Sequence, residues 1–139
     1  MTFCAHAPAS IPGHGAITIT IAPNPIVARA VEGGMFEFPF DVVLRETGGH
    51  LLKVERVTSN VYAFGTVRVG SETYDEEKIR ALGYPTKIEA NGELRYHFNP
   101  RKQVPDERML SNVSAEVRID ASDDTGTPAS ATTRVTVRR

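Results

Sequence analysis

Between Ile17 and Ile21 the chain reads Ile-Thr-Ile-Thr-Ile, and every-other-residue apolarity returns in four later segments. A period of two sends successive side chains to opposite faces of an extended strand, so each such segment carries one apolar face that must be covered. Phe36, Phe38, Phe40, Val42 and Leu44 share one face, with Glu37, Pro39, Asp41 and Val43 on the other. Leu94, Tyr96 and Phe98 alternate with Arg95 and His97. Val113, Ala115, Val117, Ile119 and Ala121 alternate with polar residues, as do Ala131, Thr133, Val135 and Val137. Composition agrees, because 14 Val, 8 Ile and 13 Thr against 6 Leu is a β-branched excess that favours strands over helices.

The interruptions are as informative as the strands. Pro23-Asn24-Pro25 ends the first strand, since neither proline can donate to a ladder. Pro39 is expected at a bulge, or where a neighbouring strand has already ended. Glu46-Thr47-Gly48-Gly49 supplies a turn, and Leu51 to Ala63 reads as one strand whose phase slips, which predicts a bulge near Glu55-Arg56. Val67 and Val69 suggest a short strand; Thr73 and Glu76 then fit a capping box opening a helix to about Leu82, pinned by Ile79 and Leu82 and closed by Gly83 and Pro85. Ala90-Asn91-Gly92 is expected to turn a hairpin with Gly92 left-handed, pairing Ile88 with Leu94. The polar run Ser122 to Pro128 joins the last two strands as a hairpin.

Seven or eight antiparallel strands, each apolar on one face, bury those faces as two packed sheets: an all-β Greek-key sandwich, with one short helix in the Gly70 to Pro85 insertion. The 139 residues suffice for a single sandwich domain over 16–139, preceded by a Pro- and Gly-containing flexible lead-in over 1–15. Over Ala16 to Arg139 the chain resembles the immunoglobulin-like and fibronectin type III-like β-sandwich superfamily. The likeness lies in the Phe36 to Leu44 strand, the Gly48-Gly49 turn, the Leu51 to Ala63 strand and the hairpin around Asp123 to Pro128. It lacks the core Trp and the inter-sheet cysteine pair of antibody domains. The resemblance implies a non-catalytic module that binds a protein or glycan or acts as a spacer.

Charge and motifs narrow the chemistry. Sixteen Lys+Arg against 17 Asp+Glu leave a formal charge of -1, without the basic field that nucleic-acid binding uses, so no nucleic-acid partner is expected. No apolar run spans a bilayer, and a single cysteine, Cys4, permits no internal disulfide. The first fifteen residues lack the cationic start and apolar stretch of a signal peptide. A secreted, periplasmic or cell-surface location is expected if a signal has been removed, and a cytoplasmic one otherwise. Cys4, His6 and His14 are soft-metal donors on an unanchored tail; Asp120, Asp123 and Asp124 are calcium-type oxygens that turn chemistry explains equally well, and no cofactor or metal is expected. His97 is expected to face solvent and His50 to sit beside a turn. With no GxSxG, HExxH or phosphate-cradling loop, the chain is not expected to be an enzyme, although a small hydrolase or metal-dependent enzyme would gather His50, His97 or the Asp120 loop around a buried partner. The binding residues singled out are Tyr74 and Tyr84, whose rings could also stack on a sugar in a carbohydrate-binding sandwich, with Arg101 and Lys102. Open edge strands allow either a monomer or an edge-paired dimer.

Overall fold

The alternating segments become strands in the computed structural model, which describes residues 13–104 and 106–139. In chain order these are β1 (Ile17–Ala22), β2 (Ile26–Val27), β3 (Arg29–Ala30), β4 (Met35–Glu37), β5 (Phe40–Glu46), β6 (Leu52–Ala63), β7 (Val67–Asp75), the helix α1 (Glu76–Ala81), β8 (Lys87–Ile88), β9 (Glu93–Phe98), β10 (Arg101–Gln103), β11 (Val113–Asp123) and β12 (Pro128–Arg138). Seven of these strands have six residues or more; the other five are short. Short 3-10 turns lie at Glu32–Gly34 and Glu107–Asn112. Residues 1–12 of the expected lead-in, with Cys4 and His6, lie outside the described residues.

One layer is the sheet β2-β12-β11-β6-β7, with β8 also on β6. The expected terminal hairpin forms, with Val113 opposite Val137 and Ala121 opposite Ala129. All pairings are antiparallel except β2 on β12, which is parallel. In β6 the ladder to β11 jumps from Arg56 to Val54, leaving Glu55 as the extra residue at the bulge that the phase slip required. A second irregularity between Val61 and Tyr62 leaves Val69 of β7 unpaired.

The facing layer consists of β1-β5-β9 and β10-β4-β3. The expected single strand from Phe36 to Leu44 divides at Phe38-Pro39, where the missing amide of Pro39 interrupts the ladder. The adjacent chain breaks at Asn99-Pro100 at the same level, and the Phe38 amide donates to the Pro100 carbonyl at 3.0 Å, so the two bends run side by side. Both halves still point inward: Phe36, Phe38, Phe40, Val42 and Leu44 are all buried, as are Tyr96, Val117 and Ile119 from the surrounding strands. Each fully buried aliphatic side chain contributes roughly 1.5–3 kcal/mol.

Four local expectations fail. Ile88 pairs with Leu52 across β8 and β6, whereas β9 pairs with β5, so Ala90-Asn91-Gly92 crosses between layers and no β8–β9 hairpin forms. Asn91 (φ 59) takes the left-handed turn position assigned to Gly92. The cause is long-range, because the Asn91 amide is held by Glu46 of β5. The helix is capped by Asp75, which accepts from the Lys78 amide at 2.8 Å, and Thr73 remains in β7. Ile79 pins the helix to the core, but Leu82 is 52% exposed and does not.

Candidate functional site

Among the described residues no ladder joins the two layers, and each sheet keeps free edges; one seam lies where β7 and β10 are bridged by side chains. β7 ends one layer and β10 ends the other. Behind this seam lies a crevice lined chiefly by Phe38, Phe40, Val57, Val61, Phe98 and Val117. It is closed down to about 20 Å³, room for about one water. Its walls come from both layers, and their apolarity follows from the alternation that built the core.

Strand geometry brings the polar groups to the mouth. On β10, Lys102 opposes Phe36 and points toward the crevice, whereas Arg101 on the other face reaches Glu37 at 3.5 Å. On β7, Gly70, Glu72 and Tyr74 oppose Val61, Ser59 and Val57 and so face the interior. Gly70 leaves room for the lysine stem: a Cβ there would lie 3.4 Å from Lys102 Cε. Lys102 Nζ meets Glu72 Oε1 at 2.9 Å, bridging the seam with both side chains about one-third exposed. Tyr74 packs on Phe98 with centroids 4.9 Å apart, and Lys78 Nζ stands 4.7 Å from the centre of its ring. Burial, aided by the Glu72 charge, pushes the Tyr74 phenol above its ordinary pKa.

Of the four binding residues singled out, Tyr74 and Lys102 therefore meet at one site. Tyr84 and Arg101 are elsewhere. Tyr84 packs edge-on against Tyr96 at 5.4 Å and donates to the His97 carbonyl at 3.2 Å, so its ring serves packing. Val67 and Val69 mark only a short strand, and their parity would turn Glu72 outward; β7 runs on to Asp75, and past its irregularity at Val69 it is Gly70, Glu72 and Tyr74 that face the interior.

The titratable groups considered for catalysis do not converge on the crevice. His97 is exposed, with Nδ1 2.7 Å from Asp41 Oδ1; Arg95 holds the other oxygen of Asp41, and the carboxyl lies below the usual carboxylate range, chiefly through the His97 and Arg95 hydrogen bonds. His50 Nδ1 is 3.1 Å from Asp124 Oδ1 at the opposite end of the molecule from the seam's Lys102. Asp120 pairs with Arg118 at 3.0 Å. Asp123 accepts from Thr125 Oγ1 at 2.6 Å and from the amides of Gly15, Thr125 and Thr127, which makes it a turn-closing carboxylate with its acidity strengthened foremost by Thr125. His14 joins this hairpin, 3.0 Å from Thr125 Oγ1. Among the described residues no three His, Cys, Asp or Glu side chains are grouped to hold a metal ion. No helix among them is long and apolar enough to cross a membrane.

The same end contains a heavily satisfied buried charge. Glu46 is 1% exposed, and its carboxylate accepts from five backbone amides. Ala16 (3.0 Å) and Gly48 (2.7 Å) reach one oxygen; Gly49 (2.7 Å), His50 (3.1 Å) and Asn91 (2.9 Å) reach the other. Burial acts to raise its pKa, and the amides of Asn91, Ala16, Gly48 and Gly49 more than reverse this, holding it below the ordinary value. This is a backbone nest filled by the protein's own anion, tying three loops together.

No protein-family model matches the chain, and no curated protein does. Solved structures match at the level of fold. The Northeast Structural Genomics Consortium target SoR45 aligns over 92% of this chain and 90% of its own, with a TM-score of 0.61 and 9% identity. A Bordetella pertussis protein solved under the designation ApaA aligns over 93% of this chain and 99% of its own, with a TM-score of 0.60 and 11% identity. At such identities the likeness is one of architecture: the chain is an all-β sandwich whose layout recurs in these two proteins.

Proposed function

We propose that the chain is a non-catalytic β-sandwich binding module of the immunoglobulin-like type, and that it binds through the crevice between its layers. The observation that carries this reading is the charged seam where Lys102 of β10 meets Glu72 of β7 over an apolar interior. Small-molecule sites combine mostly apolar walls with a few placed polar groups, and the walls here would have to part from about 20 Å³ to admit one. The separation of His50 and His97, each paired with a carboxylate outside the crevice, supports binding over catalysis.

The test is titration with the uncharged fluorophore N-phenyl-1-naphthylamine. The expected result is a saturable, blue-shifted emission at one site per chain. Val61→Phe, which puts a ring into the crevice, should abolish it in protein shown by circular dichroism to be folded. No saturable signal with the folded wild-type protein overturns the reading.

A further inference from the structure

We infer that β7 is a self-association edge, on which a second copy of this chain adds its own β7 antiparallel about a two-fold axis at Ser71. A strand edge presents a row of backbone N–H and C=O groups that another strand completes as a ladder, and proteins usually keep such edges short or covered. The other edges here follow that practice. β2, β3, β8 and β10 have three residues or fewer. β1 lies beside β12. β9 is overlaid by the segment after α1, where the Tyr84 ring packs on Tyr96 and its hydroxyl donates to the His97 carbonyl at 3.2 Å. β7 instead runs for nine residues without a proline or a lysine, and among the described residues β6 alone pairs with it.

The side chains of β7 identify the partner. Of the four large apolar side chains exposed among the described residues, Phe64, Val67 and Val69 lie on the β6–β7 hairpin. Val67 opposes the buried Ala63 and so shares the inner face with Tyr74. On the outer face Arg68, Ser71, Thr73 and Asp75 oppose Tyr62, Asn60, Thr58 and Arg56. Arg68 and Asp75 stand at opposite ends of the strand, and neither forms an ion pair among the described residues; Asp75 caps the Lys78 amide. A strand with an unpaired cation at one end and an unpaired anion at the other is complementary to itself run backwards. With Ser71 facing Ser71 of the other copy and Val69 bulged out of the ladder, Arg68 comes beside Thr73 and diagonally within reach of Asp75, twice by symmetry, and Val67 comes beside Tyr74. An axis one residue further on would set the two Glu72 carboxylates face to face, which like charge disfavours. One strand pairing is a small interface, so the dimer is reversible and grows with concentration.

The experiment is sedimentation equilibrium from about 10 µM to about 1 mM, which should show monomer passing to dimer. Arg68→Glu sets a glutamate near Asp75 of the other copy at both ends and should weaken association about tenfold or more. Val67→Lys should weaken it as well, and because both positions are exposed the circular dichroism of each variant should match wild type. In a Cys4→Ser background, Ser71→Cys should oxidise to a disulfide-linked dimer, since paired Cα atoms about 4.5–5.5 Å apart suit that bond, whereas Thr20→Cys on β1 should not. Should Ser71→Cys aggregate, Arg68→Glu still decides. A monomer throughout the concentration range overturns the inference, as does a dimer that is indifferent to Arg68→Glu and is not linked through Ser71→Cys.

Discussion

Replacing Glu46 by Gln keeps the shape of the side chain and changes what it offers. The carboxylate presents two acceptor oxygens to five amide donors, and both are needed. In Gln one oxygen becomes an NH2 group. If it faces Ala16 and Gly48, two buried amides lose their acceptor and confront a donor; if it faces the other way, Gly49, His50 and Asn91 do. Two orphaned amides at about 1–3 kcal/mol each, plus the lost charge on the surviving bonds, amount to about 4 kcal/mol. With an unfolding entropy of roughly 2.1 cal/mol/K per residue, that lowers the melting temperature by about 15 °C. Calorimetry at pH 7 reads this directly. The pH profile gives a second readout. Because the folded-state pKa of Glu46 is lowered, its stabilisation is present above the unfolded carboxyl value near about pH 4.3 and is lost as pH falls toward the folded value. The gap between wild type and Glu46→Gln should therefore narrow on acidification. A variant within about 1 kcal/mol of wild type at pH 7, or a gap that does not change below pH 4, would refute the view that the nest holds a charged carboxylate.

Other perturbations probe separate parts of the account. Gly48→Ala would press its methyl onto the His14 carbonyl and to 2.9 Å from the Ala16 nitrogen, a backbone-on-backbone clash expected to cost on the order of 2 kcal/mol in urea unfolding. Tyr96→Phe removes a buried hydroxyl that donates to the Pro85 carbonyl at 2.8 Å, and should cost about 1–2 kcal/mol in the same measurement. Ile79→Ala empties the one buried position on α1, and should cost about 2–4 kcal/mol, with hydrogen exchange of the helix amides rising first.

The strands were legible because period-two alternation is a local consequence of one face being buried, and Ile17 to Ile21, Leu94 to Phe98 and the last two strands obey it. Even the defects were readable where they broke that period: Glu55 at the bulge and Pro39 at the bend. What local chemistry could not supply was the choice between competing partners. Asn91-Gly92 has the composition of a hairpin turn, yet Ile88 pairs with Leu52 and the Asn91 amide with Glu46, a residue 45 positions away that the sequence presents as part of an ordinary turn. Asp75 caps α1 in place of Thr73 because β7 continues to Asp75. At the site, Tyr74 and Lys102 could be named as residue types suited to binding, but their meeting depends on two edges from different sheets facing one another, and that is a property of the layers rather than of either segment.

The account turns on the space between the layers opening at the β7–β10 seam to admit an apolar guest. Isotope-filtered nuclear Overhauser spectroscopy of the protein with N-phenyl-1-naphthylamine locates the guest directly. Ring protons should show cross-peaks to the methyl groups of Val57, Val61 and Val117. Cross-peaks confined to residues on the outer face of β1-β5-β9, such as Thr20 and Val43, would contradict it.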